Sequence, residues 1–345
     1  MRSEALRVPR ERGERTRRAL LELEALRVDL RIVGEGGSLL FPVCGELARL
    51  GSLGELTVAE FRPFDDLDAP RRYQELLELP ADRQSRLPRA FDVVGDIVLI
   101  RLPRDLEADA PAIGDALLQF VPGARLVGAD YGVHGPERLR SLRRIAGSGG
   151  WRTVHHENGI AFQVDVERAY FSPRLAREHA RVAECVGPGE RVYDLGCGVG
   201  PFSITIASQQ RARRIVAIDH NPAAIELLEA TVHHLGLPAL VEAHVAPIDD
   251  FLLGAEPCER AILNLPQGGI KYLPSVAGAV EPGGTIHYYE RVERSELARR
   301  GDELVQAING SSRWSAAEPR IVHPYSPTSD VVAFALHRAR SGADS

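Results

Sequence analysis

From residue 170 onward, short apolar runs alternate with stretches of helical period. No other feature constrains the fold of this chain so strongly. A helix (PRLAREHARVAECV) precedes the strand RVYDLG, and the helix PFSITIASQQ follows. Next come strand RIVAID, helix NPAAIELLEATVHHLG, a strand around ALVEAHVA, strand RAILNLP, helix IKYLPSVAGAV, strand GTIHYYE and helix RSELARRGDELVQAI. A pair of strands around EPRIVHPYSP and DVVAFALHR closes the series. Strands that alternate with helices build a mostly parallel sheet with helices on both faces. The expected fold is therefore α/β, with a doubly wound, Rossmann-type domain over residues 169–345.

At 345 residues the chain exceeds one ordinary domain of about 150 residues. Two smaller α/β domains are expected ahead of the doubly wound one. In the first, residues 1–50, ERGERTRRALLELEAL has helical spacing, with Leu20, Leu21, Leu23 and Leu26 on one side, and VDLRIVGEGGSLLFPV reads as two short strands. Residues 51–85 read as a linker with a short helix and no strong strand signal. In the second domain, residues 86–168, FDVVGDIVLIRLP reads as one apolar strand and DAPAIGDALLQFVPGARLV as helix then strand. GIAFQVDVERAYF closes it as a strand with Phe162, Val164 and Val166 on one face.

No apolar run approaches the roughly 20 residues of a membrane helix. The first twenty residues lack the apolar core of a signal peptide, so a cytoplasmic protein is expected. Four scattered cysteines form no C-x-x-C pair, and no His/Cys/Asp cluster has ligand spacing, so no bound metal is expected. The net charge of −6 excludes a basic bulk character but hides local asymmetry. Residues 1–20 hold seven Arg against three Glu. Residues 134–152 hold Arg138, Arg140, Arg143, Arg144 and Arg152 against one Glu. Each cluster reads either as a phosphate-binding surface or as a solvated helix face.

The chemistry-bearing motif is Asp194-Leu-Gly-Cys-Gly-Val-Gly200, at a strand-to-helix turn. Gly196, Gly198 and Gly200 let the backbone turn tightly and approach a ligand. Asp219 ends the next strand, where ribose hydroxyls are gripped in such folds. A leading Asp before G-x-G-x-G resembles class I methyltransferases, which bind S-adenosylmethionine; Asp194 would then lie near the cationic methionine end. The fourth strand runs into Asn264-Leu265-Pro266, an amide on a rigid turn, where amino-group methyltransferases place a similar Asn/Asp-Pro-Pro element.

Longer stretches carry a more specific resemblance. GVGPFSI, AIDHNPAAIELL, RAILNLPQGGIKYLP, PGGTIHYYE, RIVHPYSP, FDVVGDIVLIRLP, HHENGIAFQVDVERAYFSPRLAREHARVA and LRVPRERGERTRRALLELEAL resemble the archaeal and eukaryotic tRNA (guanine-37-N1)-methyltransferase family over nearly the whole chain, least clearly at 51–85. The resemblance implies a tRNA-docking first domain, a middle domain and a catalytic methyltransferase domain. Transfer would be from S-adenosylmethionine to N1 of guanosine 37.

Residue by residue, the resemblance implies Glu178 as general base, Arg138 as stabiliser of charge on O6 and Asn264 as holder of the base edge. It implies Tyr170, Arg174, Asp194, Gly196, Gly198, Gly200, Asp219, Asn221 and Pro266 as cofactor contacts, with the adenine contact at Asp249 or a backbone group. His179 departs from the arginine usual after the catalytic Glu. Implied partners are the tRNA anticodon loop and outer corner, with no membrane and a monomeric state. Two alternatives accompany this reading. One is a wybutosine-pathway transferase that methylates a precursor or moves an aminocarboxypropyl group on the same nucleotide. The other is a catalytically idle tRNA-binding adaptor. Intact FSPRL-x-x-E and NLP motifs argue against the aminocarboxypropyl reading, and the intact glycine turn and Glu178 argue against the adaptor.

Overall fold

A computed structural model describes residues 1–35, 37–45, 47, 50–63, 70–135, 137–308 and 313–340; positions 64–69 of the expected linker lie outside them. The chain forms two compact units. The first comprises 1–134 and 140–161, the second 135–139 and 162–345.

The first unit opens with β1 (Arg2–Pro9), α1 (Gly13–Glu22), β2 (Val33–Glu35), β3 (Ser38–Pro42) and β4 (Glu55–Glu60), whose strands form one sheet in the order β2-β3-β1-β4. β1 is central and antiparallel to both neighbours. Two features differ from the sequence reading. β1 is a strand ahead of the helix, and β4 lies inside the segment read as linker. β4 (ELTVAE) is mostly exposed along its length, so it carries no run of buried apolar residues to announce it. Leu20 is buried, but Leu21 and Leu23 face solvent: Leu21 is turned about 100° around the helix from Leu20, and Leu23 lies past the end of α1 at Glu22.

Further on, α2 (Ala81–Gln84) leads to a second sheet, β5 (Phe91–Val94), β6 (Ile97–Ile100), β7 (Leu126–His134) and β8 (Leu139–Gly147), in that order. α3 (Ala110–Phe120) crosses between β6 and β7, which are parallel. FDVVGDIVLIRLP is therefore two antiparallel strands rather than one. Gly95, at φ +58°, makes the turn that splits the run. Ile113 and Leu117 of α3 pack on Val98, Ile100, Val127 and Ala129, each worth roughly 1.5–3 kcal/mol when fully buried. The Arg-rich segment is the strand β8, not a helix face. Two of its five arginines are paired with acids: Arg140 with Asp130 and Asp92, and Arg143 with Glu107. The unit ends with β9 (Arg152–Glu157).

In the second unit, β10 (Ile160–Asp165) and α4 (Ala176–Cys185) lead into the alternating series. It runs β11 (Arg191–Leu195), α5 (Pro201–Ser208), β12 (Arg214–Asp219), α6 (Pro222–His234), β13 (Val241–Val245), α7 (Ile248–Leu252), β14 (Cys258–Leu263), α8 (Leu273–Ala279) and β15 (Val280–Glu293). It closes with α9 (Leu297–Ala307), β16 (Trp314–Ala316), β17 (Arg320–Pro324) and β18 (Ser329–Arg338). The sheet order is β13-β12-β11-β14-β15-β18-β16, with β17 also on β18. β11 to β15 are parallel, and β18 runs antiparallel to β15, β16 and β17. This is the doubly wound α/β fold expected from the alternation. The chain moves one way from β11 through β13, then returns to the other side of β11 for β14. That reversal opens a crevice at the carboxyl ends of β11 and β14.

Candidate active site

The glycine turn lies at that crevice. Gly196, Gly198 and Gly200 all have positive φ, at +78°, +57° and +75°, a region that costs other residues roughly 1–2 kcal/mol. Space forbids side chains as well. A Cβ on Gly200 would stand 2.3 Å from Leu228 Cδ1, and one on Gly196 2.9 Å from Leu265 Cδ2. The Gly196 and Cys197 amides donate to the Ile218 carbonyl at 2.7 and 2.9 Å, so β12 fixes the turn.

Asp219 completes this half of the crevice. Its Oδ2 accepts from the Gly198 amide at 2.8 Å and its Oδ1 from the Asn221 amide at 2.9 Å. Each oxygen keeps acceptor capacity for a further donor. The Asn221 side chain turns elsewhere: Oδ1 caps α6 by accepting from Ala223 N, and Nδ2 donates to the Arg168 carbonyl at 2.8 Å. Asn221 thus fixes the backbone around Asp219.

Asp194 is buried. Its Oδ2 accepts from the Ser203 amide and hydroxyl at 3.2 and 2.7 Å. Its Oδ1 is buried with no partner among the described residues. Burial pushes this carboxyl up to about 6, against the pull of the Ser203 bonds.

At the end of β14, Leu265 packs against Gly196 and the Pro266 carbonyl accepts from Arg291 N at 3.2 Å. Asn264 Oδ1 is buried without a partner among the described residues. A buried unpaired amide oxygen is costly, which is the condition of a group awaiting a donor. The Tyr170 carbonyl lies 3.4 Å from where a Gly198 Cβ would be, so Tyr170 borders the turn. The Arg138 guanidinium stands 4.9 Å from the Tyr170 ring centre. Arg138 has φ +54°, and its Nε and Nη1 are buried without partners among the described residues. Strained backbone and unpaired donors at one residue mark a site that expects an acceptor.

Glu178 is placed differently. It is buried in α4, and its carboxylate accepts from Arg181 Nη2 at 2.7 Å and Nε at 3.1 and 3.2 Å, from the Tyr289 hydroxyl at 2.7 Å, and from Arg320. Burial alone would raise this carboxyl. Hydrogen bonds from Arg181 and Tyr289, with the charges of Arg181 and Arg320, outweigh it and hold the group below the usual carboxylate range. Rings connect it to the glycine turn. His179 meets Phe202 edge-on at 4.6 Å, and Phe202 lies 5.6 Å from Tyr289; Phe202 is the second residue of α5.

Arg174 is exposed, as is Asp249 on the first turn of α7. The spacing of Arg181 to Glu178 is readable in the sequence. Tyr289 and Arg320, 111 and 142 residues from Glu178, carry no such signal.

A doubly wound sheet with a glycine turn, a strand-end carboxylate and an amide oxygen without a partner among the described residues at its switch point defines a Rossmann-type transferase of the class I methyltransferase kind. Comparisons with known proteins narrow this. The TRM5/TYW2 methyltransferase domain matches residues 153–311, the TYW2 N-terminal domain 73–150, and the tRNA methyltransferase 5 N-terminal domain 5–49. The tRNA (guanine(37)-N(1))-methyltransferase Trm5b of Pyrococcus abyssi is 34% identical over 83% of this chain and 83% of its own. A solved complex of aTrm5 with tRNALeu has a TM-score of 0.69 at 29% identity, covering 97% of this chain and 99% of that one. A tRNA(Phe) (4-demethylwyosine(37)-C(7)) aminocarboxypropyltransferase of Pyrococcus horikoshii is 28% identical over 69% of this chain and 84% of its own. The chain belongs to the TRM5/TYW2 methyltransferase family.

Proposed function

We propose that this protein transfers the methyl group of S-adenosylmethionine to N1 of guanosine 37 in tRNA. The observation that carries the reading is the meeting, at one sheet switch point, of three positive-φ glycines, a strand-end Asp219 and the Asn264 Oδ1, which has no partner among the described residues. These residues fit the cofactor. The glycine turn leaves backbone exposed where a Cβ would intrude, Asp219 has acceptor capacity for ribose hydroxyls, and Asp194 offers a buried oxygen to the cationic end. When bound, S-adenosylmethionine supplies an already activated methyl group.

The difficult step then falls to the protein. Guanine N1 carries a proton and must lose it as it attacks. Glu178 takes that proton. Arg138, with unpaired donors, faces the negative charge that spreads to O6. Asn264 holds the base edge in line, and the target base is turned out of its stack to reach them. The anticodon loop docks at this unit and the tRNA outer corner at the first domain, whose sheet runs on past residue 50 to include β4, ahead of a middle domain, to 168, and the catalytic 169–345. We take the protein to be a cytoplasmic monomer.

The test is incubation with methyl-labelled S-adenosylmethionine and tRNA transcripts. Label at N1 of G37, and none on an A37 transcript, is the expected result; no transfer to G37 would overturn the reading. The match of residues 73–150 to a TYW2 domain favours one second reading, aminocarboxypropyl transfer. Cofactor labelled in that group rather than in the methyl separates the two.

A further inference from the structure

The Glu178 carboxylate has about four acceptor positions, and Arg181, Tyr289 and Arg320 occupy them. The three partners are not equivalent. Arg181 lies one turn along α4 and travels with Glu178. Tyr289 is fully buried in β15. Arg320 reaches in from β17 with its side chain 42% exposed, and the register of β17 on β18 shifts between Ile321 and His323, just beyond it. Arg181 is 34% exposed but shares the helix of Glu178, so of these partners Arg320, the most exposed and on a separate strand, leaves the carboxylate most readily.

We infer that Arg320 is a positioning residue for the general base: it holds Glu178 Oε2 until substrate arrives, then swings outward and yields that oxygen to the N1–H of guanine. The N1–H proton passes to Oε2, and the electron pair left on N1 forms the new bond to the methyl carbon as the sulfonium–methyl bond breaks and its pair returns to sulfur, leaving neutral S-adenosylhomocysteine. The displaced guanidinium becomes available to an RNA phosphate. This rests on Glu178 being the base.

The groups that face the carboxylate are Arg181 on α4, Tyr289 on β15 and Arg320 on β17. His179 is next to it on α4. His287 on β15 is kept neutral by burial and by the charge of Arg260, with smaller effects of Arg181 and Arg320. α5 adds the uncharged Phe202. Among the described residues, removing Arg320 therefore removes one of two formal positive charges that touch the carboxylate.

The experiment is single-turnover methylation of a G37 transcript at saturating cofactor and limiting tRNA, where the rate reports the free enzyme, between about pH 3.5 and 8, for wild type, Arg320→Ala, Arg320→Lys and Glu178→Gln, with melting temperatures recorded for each. The acid limb of the rate should move upward by about one pH unit or more in Arg320→Ala, and Arg320→Lys should return it toward wild type. An unmoved limb in Arg320→Ala, with the rate lost in Glu178→Gln, would overturn the inference and leave Arg320 a structural ion pair. Full rate in Glu178→Gln would overturn the base itself. If Arg320→Ala fails to fold, Arg320→Gln carries the same comparison.

Discussion

The two sides of the candidate site are held by different forces. On the cofactor side, the groups offered are backbone amides and carboxylates from one stretch, residues 194–221, fixed by glycine geometry. A side chain at Gly196 or Gly200 has no room there. On the Glu178 side, the groups are long side chains from α4, β15 and β17, fixed by charge. The first arrangement is rigid before any ligand arrives. The second holds only while its partners stay and its carboxylate is ionised. One half should fail by crowding and the other by loss of charge, and four measurements press on that distinction.

The largest effect is expected from Glu178→Gln, which should cut the single-turnover rate about 10²–10⁴-fold. Calorimetric titration with S-adenosylhomocysteine should be unchanged, since the cofactor side stands without Glu178. The variant leaves Arg181 and Arg320 without their anion, so a lower melting temperature is expected as well. Loss of cofactor binding would break the comparison by joining the halves.

Asp194→Asn should next show how much charge the cofactor side tolerates. A carboxyl raised from 3.8 to about 6 on folding adds stability below the unfolded value and loses it as pH rises through the folded one. At pH 8 the variant should therefore be more stable than wild type by an order of 2–3 kcal/mol. The gain should shrink across about pH 6 to 4. Denaturant unfolding at pH 8 and pH 5 reads the difference, and equal gains at both would show the effect to be steric. Glu178 behaves oppositely. Its lowered value contributes stability above the ordinary carboxylate range that is lost as pH falls through the folded value.

Asp219→Ala removes ribose acceptors and the partner of the Gly198 amide. It should weaken S-adenosylhomocysteine by about 1–3 kcal/mol, roughly 5- to 150-fold in dissociation constant. An unchanged constant would mean the amides alone hold the ligand.

The smallest effect concerns RNA affinity. Arg15 and Arg17 are exposed on α1, whereas Arg140 and Arg143 are paired with acids. Alanine at Arg15 or Arg17 should lower the log–log salt slope of tRNA binding by about one unit or less each. Alanine at Arg143 should not change it. Deleting residues 1–50 is a poor substitute for these variants, because β4 would lose β1, its partner along six residues.

The same contrast explains what the sequence could disclose. The glycine turn, Asp194, Asp219 and the Asn264 turn are short-range patterns, and the β/α alternation around them fixes where strands end. Glu178 and Arg181 share a helix face at readable spacing. Tyr289 and Arg320 meet Glu178 through tertiary folding alone, so nothing in their local sequence announces the contact. Arg138 carries its signal in the backbone, as a positive φ on a non-glycine residue, which no composition reveals. β4 escaped notice because it is an exposed edge strand.

The second unit is not a continuous stretch of chain: residues 135–139 belong with 162–345 while 140–161 fold elsewhere. Arg138 is in that detached piece. Anyone dissecting the protein would find that a fragment starting at residue 162 contains the whole β11–β18 sheet and its glycine turn yet omits the arginine. No single cut in the polypeptide recovers it without 140–161, the intervening excursion. Isolating the catalytic unit with Arg138 in place therefore calls for a splice that joins 139 to 162, and chain connectivity, rather than any surface, decides which fragments can be compared for cofactor binding and which for catalysis.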